Sequence, residues 1–394
     1  MKKLVITSLV AAFAAAANSA PLVTVGDQMD IFFKGAVLMN YNSNITYASD
    51  KKIDDVSGTI RLGGEVDYGR SSKFKANFKA YEDFTKYASH GEFDCNLAHL
   101  AANASYVEAN WKVTAFFAFD QNRQNTTDTL IAARDQGQLV NFNNWAAGFN
   151  GEYDFSEKVF ATLGFKWTQI EYTSTNSYGQ KWDDIYSSYN VYSVPVSVYY
   201  RVTQKISAGL SYQYRNTEYY SGPNSYAIWG KERDDHFIGV TVLGEIAPKL
   251  TCELYLGAQN RDVDGVDSGD EWSFATHITL GYEVSEKMGV YVKFNRDFGN
   301  SAVRDSVVNT GGEIGMNYYF NPKVYGTASF AYTDSKYEFT GRKDKTIWTR
   351  LGVTYVPNKF VSFGVNYNYL NNDSSYSWAC YNQHLVSLNA MLRY

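Results

Sequence analysis

A short turn ending in lysine, followed at once by an apolar residue that opens an alternating run, occurs eight times in this chain. The turns are marked by Lys73-Phe74, Lys112-Val113, Lys158-Val159, Lys205-Ile206, Lys249-Leu250, Lys287-Met288, Lys323-Val324 and Lys359-Phe360. Successive lysines are 39, 46, 47, 44, 38, 36 and 36 residues apart, so the variable part of each unit lies far from its turn. In the seventh copy Ile314, Met316, Tyr318 and Phe320 alternate with Glu313, Gly315 and Asn317 before Asn321-Pro322-Lys323. Beyond that turn Val324, Gly326, Ala328 and Phe330 alternate with Thr327 and Ser329. Alternation over that length is the signature of a strand. Proline with its preset φ, beside an asparagine that tolerates unusual backbone angles, makes the turn.

Alternation between the turns predicts eighteen strands, near 30–42, 58–69, 74–86, 101–111, 113–123, 141–154, 159–173, 188–202, 206–219, 235–246, 250–261, 271–284, 288–298, 306–320, 324–335, 346–356, 360–371 and 383–394. The connections fall into two kinds: eight lysine-marked turns, and nine longer polar loops at the other strand ends. That asymmetry is expected of an outer-membrane antiparallel up-and-down β-barrel, with sixteen strands as the fallback count. An even count puts both termini at the turn side, the periplasmic end. The alternative of a propeller with a blade per repeat needs four short strands where each unit here has two long ones.

Alternation alone does not distinguish lipid outside from core inside. Three features favour lipid. The predicted strands reach the roughly 9 to 11 tilted residues that span a bilayer, against about 5 or 6 in ordinary strands. The chain carries 33 Tyr, 24 Phe and 8 Trp at a mean hydropathy of −0.36, and amphipathic rings suit the two bilayer interfaces. Finally, residues 1–20 read as a secretory signal peptide, with two lysines, an apolar run from Leu4 to Ala17 and small residues at the end. A short periplasmic lead-in, 21–28, would precede a barrel over 29–394.

A net charge of −5, with no basic run carrying interleaved aromatics, argues against nucleic acid as a partner. Cys95, Cys252 and Cys380 lack metal-type spacing; a Cys95–Cys380 disulfide stays open beside free thiols. No cofactor motif appears. The acidic run from Asp262 to Glu271 does not keep EF-hand spacing, because Val266 holds its fifth position. A solvated loop is the expectation there. The histidines, with His90 and His99 expected in a loop and His236 and His384 on lipid-facing parity, form no nucleophile–base arrangement, and no enzymatic activity is expected.

Polar-face parity places a set of charged residues in the lumen, where they escape the cost of facing lipid. The expected pore-lining residues are Lys34, Arg61, Glu65, Lys75, Lys79, Glu108, Glu152, Lys166, Arg215, Glu253, His277, Glu283, Lys293, Glu313, Arg350 and Arg393. A barrel this wide leaves an aqueous channel, so passive diffusion of small hydrophilic solutes is the leading function. Pro195, inside a predicted strand, is expected to force a bulge.

The last strand places Val386, Leu388, Ala390, Leu392 and the terminal Tyr394 on one face. It resembles the C-terminal signal of outer-membrane barrels, which implies the barrel-assembly machinery as a partner; the usual terminal residue is Phe. Arg233-Asp234-Asp235, Arg261-Asp262, Arg296-Asp297 and Arg304-Asp305 at strand ends, with the long strands and Lys or Pro turns, make residues 230–394 resemble the putative beta-barrel porin family of bacterial outer-membrane proteins. That resemblance implies a Gram-negative outer-membrane barrel. It also keeps two alternatives open: a conduit of a polysaccharide export system, and a surface-exposed structural or adhesive barrel.

Overall fold

The computed structural model of the protein describes residues 21–126, 137–265 and 271–394; the expected signal peptide lies outside them. A three-residue strand, β1 (Val23–Val25), precedes eighteen long ones. The first six of these are β2 (Met29–Asn42), β3 (Asp55–Tyr68), β4 (Phe74–Tyr87), β5 (Cys95–Val107), β6 (Trp111–Arg123) and β7 (Asn141–Asp154). Next come β8 (Val159–Tyr172), β9 (Tyr189–Arg201), β10 (Ile206–Tyr219), β11 (Glu232–Ala247), β12 (Leu250–Val263) and β13 (Glu271–Ser285). The last six are β14 (Met288–Asn300), β15 (Ser306–Asn321), β16 (Val324–Tyr337), β17 (Lys343–Tyr355), β18 (Val361–Ser374) and β19 (Tyr381–Arg393).

Each long strand pairs antiparallel with its sequence neighbours, and β19 closes on β2 from Arg393 opposite Lys34 to Leu385 opposite Asn42. The result is the expected closed barrel of eighteen strands. β1, which alternation did not reveal, pairs with Met29–Ile31 of β2. It sits just beyond the chain end, where Phe33 and Tyr394 exchange backbone hydrogen bonds of 2.5 and 2.9 Å.

Large apolar residues such as Val37, Met39, Ile60, Leu62, Leu163, Leu210, Ile238 and Val240 are exposed on the outer face. In water this surface would be costly; against acyl chains it is the favoured face. The buried cores sit instead among the loops. Ile45, Phe93 and Leu139 form one, and Val140, Tyr172, Trp182, Tyr186 and Ala302 the other.

Three local expectations are corrected. β5 begins at Cys95 rather than near 101 and ends at Val107, so the turn falls at 108–110 and Lys112 lies inside β6. His99 is therefore a strand residue, not a loop one. Strand ends that rise beyond the apolar band need no greasy residue on either face, which hides them from an alternation count; β3 and β17 also start earlier than expected for this reason. Pro195 forces no bulge. The β8–β9 ladder keeps one register from Leu163↔Val196 to Lys166↔Ser193 and omits the pairs between. Gly164 lies opposite, where an added Cβ would stand 3.0 Å from the proline Cγ. The missing N–H is absorbed as a gap because glycine leaves room for the ring. Lastly, Cys95, Cys252 and Cys380 are all free, so the Cys95–Cys380 bridge is not formed.

Candidate functional site

The wall is not uniform at the loop end. Pairing of β13 with β14 stops at Thr276↔Arg296, while β14 stays paired with β15 up to Asn300↔Ser306. Above that level the β14–β15 hairpin leaves the wall and lies against the inner face of β10–β12. Arg215 on β10 reaches Asp297 at 3.1 Å and the carbonyl of Phe298 at 2.9 Å. The guanidinium of Arg261 on β12 covers the Phe298 ring at 4.6 Å and donates to the Gly299 carbonyl and Ser306 Oγ at 2.9 and 3.0 Å. Phe298, Val307 and Val308 are buried in consequence.

The hairpin tip, 301–305, reaches across to neighbouring loops. Ala302 packs with Val140, Tyr172, Trp182 and Tyr186. Arg304 donates to Ser187 Oγ at 2.9 Å and the Ser221 carbonyl at 2.7 Å. The Asp305 carboxylate accepts from the backbone of Phe339 and Thr340 and from Thr340 Oγ1. A second inturned loop, 43–54, is held by Asn44, whose Nδ2 donates to the carbonyls of Ala48 and Asn382 at 2.9 Å each. Asn125 Nδ2 donates to its Thr46 carbonyl at 2.7 Å. Ile45 belongs to one core and Ala302 to the other, and the adjacent residues Leu139 and Val140 bridge the two.

The Arg-Asp pairs of the sequence meet at this mouth. Asp235, fully buried, takes bidentate bonds of 2.6 and 2.8 Å from Arg261 and one of 2.8 Å from Arg215. Arg233 and Arg304, 1% and 4% exposed, have no carboxylate within ion-pair distance among the described residues. Arg233 donates to Tyr219 Oη at 3.0 Å and to the carbonyls of Asp305 and Arg304, while its Nε has no acceptor among the described residues. Both guanidiniums lie over the Tyr219 ring. A buried cation is tolerable when most of its N–H groups are filled and it packs on an aromatic face, and arginine keeps its charge under such burial. These two hold the hairpin tip rather than meet the channel.

The sequence-derived lumenal residues divide by partner. Glu65 collects Lys34 at 3.1 Å, Lys79 at 3.5 Å and Arg393 at 3.1 Å, tying β2, β3, β4 and β19 across the closing seam. Arg61 grips Asp83 with two bonds of 2.7 Å. Lys293 lies 3.9 Å from Glu313, which also accepts from Tyr291 at 2.8 Å. Arg215 belongs to the mouth cluster. Lys75, Glu152, Lys166, Glu253, His277, Glu283 and Arg350 lie on strand positions of lumenal parity, with no carboxylate or cation at ion-pair distance among the described residues. Glu108 is the exception in place. It lies in the turn after β5, where Lys73 at 2.8 Å, and then Tyr106 at 2.9 Å, hold its carboxyl below the usual range.

Missed from the sequence was His99, whose Nδ1 is 2.7 Å from Asp120 and whose Nε2 is 3.8 Å from Asp83, with its ring stacked on Tyr81. Lumenal parity would have exposed it once β5 was started at Cys95. His236 and His384 lie on the outer face, bonded to Tyr212 and Tyr367 at 2.8 and 2.9 Å. Among the described residues no group of three or more His, Cys, Asp or Glu side chains is placed to hold a metal ion, and residues 266–270 of the acidic run lie outside them.

No curated protein matches the chain. Among solved structures it is similar to the outer membrane protein OpdK of Pseudomonas aeruginosa, at 12% identity and a TM-score of 0.46, over 93% of this chain and 99% of that one. OccK7 (OpdD) of the same organism gives 10%, 0.49, 94% and 99% in the same order. The FrpB iron transporter of Neisseria meningitidis gives 11%, 0.46, 86% and 62%. These likenesses are remote, and the assignment rests on sequence. The family model described as "Putative beta-barrel porin 2" matches residues 33–394, nearly the whole barrel, and the chain belongs to that family of outer-membrane porins.

Proposed function

We propose that small hydrophilic solutes diffuse passively through the lumen, past the inturned β14–β15 hairpin at the outer side and out between the lysine-marked turns on the periplasmic side. The observation that carries this reading is the division of the wall: greasy residues outside, and inside a set of charged groups of which Lys166, Glu152, Glu253, His277 and Arg350 have no ionic partner at hand. Unpaired charges of both signs favour water and weak discrimination over strong ion selectivity. The sixteen residues named from the sequence, less Glu108, are the proposed lining.

Export through cleavage of the first twenty or so residues and assembly through the strand ending at Tyr394 complete the reading. Its C-terminal carbonyl and amide already pair with Phe33. Purified barrel in a planar bilayer should give ohmic steps with a modest cation-to-anion permeability ratio, and proteoliposomes should swell in small sugars. Silence in both assays would sink the channel. N-terminal sequencing of the mature protein checks the leader: the expected start is residue 18 or 20.

A further inference from the structure

We infer that Trp348 and Arg350, on the lumenal face of β17, form a binding subsite for the pyranose ring of a neutral sugar; the inference rests on the channel reading above. Register fixes the facing. Leu351, Val353 and Tyr355 are the exposed outer residues of β17, so Trp348 and Arg350, at the opposite parity, point into the lumen. Trp348 is nevertheless 40% exposed. Among the described residues it is the one large apolar side chain so exposed at mid-strand on the inner face; the others of that kind face lipid. An indole left open to water inside a wide polar tube is an unburied apolar face waiting for a partner.

The Arg350 guanidinium lies 3.8 Å from the Trp348 ring centroid and has no carboxylate at ion-pair distance. It is thereby held beside the indole with donors to spare. Its cross-strand neighbour on β18 is Asn368, and one step further Gly352 faces Asn366. An added Cβ on Gly352 would stand 2.7 Å from Asn366 Oδ1, so the glycine lets that amide lie flat over the wall. Neither Asn368 nor Asn366 has a side-chain hydrogen bond among the described residues.

The chemistry of the patch is therefore one ring, one fork of donors and two amides that both give and accept, while the Glu313 carboxylate, two strands away across Ala331, is taken by Tyr291 and Lys293. A pyranose matches it in kind. Its C–H face packs on the indole, and its adjacent hydroxyls take the guanidinium fork and the amides. A metal ion finds no anionic ligand there. A purely apolar solute would leave the amides unfilled. The paired charges of the other wall, such as Arg61 with Asp83 and Glu65 with its three cations, offer no ring to stack on.

The test is current blockade of single channels by a linear glucose oligomer of three units, added in rising concentration. Wild type should show concentration-dependent interruptions. W348A should weaken the apparent affinity by about tenfold, and W348F should recover part of it. Heat-modified gel mobility checks that each variant is folded. Blockade that is equal in wild type and W348A, or absent from a conducting wild type, overturns the subsite while leaving the channel intact; absence of conductance in wild type overturns the channel reading first.

Discussion

The two ends of this barrel use the same kinds of charged residue to opposite effect. At the loop end Arg261 and Asp235 meet at 2.6 Å with side chains 1% and 0% exposed. At the turn end Lys73 and Glu108 meet at 2.8 Å with side chains 65% and 30% exposed. Removing one partner of a buried pair strands a charge, whereas water takes over at an exposed one. The arginines of the mouth therefore act as structural bolts for the inturned hairpin, and the lysines of the turns are solvated ends of a rim. The comparison teaches that a charged residue in this lumen is read by its depth in the packing, not by its type.

The largest effect that could break this contrast is at Arg261. Arg261→Ala leaves Asp235 to Arg215 alone, uncovers Phe298 and frees the Gly299 carbonyl, and should cost about 3–5 kcal/mol in denaturant unfolding of the detergent-solubilised barrel. With its anchor gone the 301–305 tip should be cut by added protease under conditions where the wild-type tip is spared, and single-channel conductance should rise. A variant as stable and as resistant as wild type would mean that the hairpin is held by its apolar contacts and not by the guanidinium.

Intermediate in size is Arg393→Met, at the turn end but partly buried against Glu65 and the Phe32 ring. Loss of a charge-assisted bond here should cost about 1.5–3 kcal/mol. It should be read as a lowered temperature of the heat-modified gel shift, because the closing seam loses one of the ties that cross from β19 to β3. An effect as small as that of a rim lysine would mean that position along the axis, rather than burial, sets the energetics.

The barrel itself was legible because its rules are local. Eight lysine-marked turns and alternation between them placed seventeen of the eighteen long strands closely, and the chain's parity put Lys34, Arg61 and Glu65 on one face without any structure. What escaped was non-local. Phe298 and Val308 have the parity of lipid-facing residues, and nothing near them in sequence says that their hairpin would leave the wall and cover Arg261 instead. The Arg-Asp pairs were visible as a pattern, yet which member would be buried depends on β10, β12 and the 301–305 tip meeting in space. Trp348 was hidden for another reason: an aromatic residue in such a chain reads as lipid-facing girdle until register assigns it inward.

The smallest effect sharpens the contrast at the rim. Lys73→Ala removes the main partner that holds Glu108 below its ordinary pKa, and the position is open to water, so unfolding at neutral pH should stay close to wild type. The titration should move all the same. Because the folded carboxyl is depressed, whatever stability it lends is present above the unfolded value and is lost only as pH falls through the lowered one. In the variant less is lent, and it is all gone at a higher pH. Carbon-detected NMR of labelled glutamate should therefore show the Glu108 midpoint rising while neutral-pH stability falls by no more than the small amount linked to that rise. If stability fell well beyond that linked amount, the turn-end lysines would be structural after all, and the two ends of the barrel would differ in degree alone.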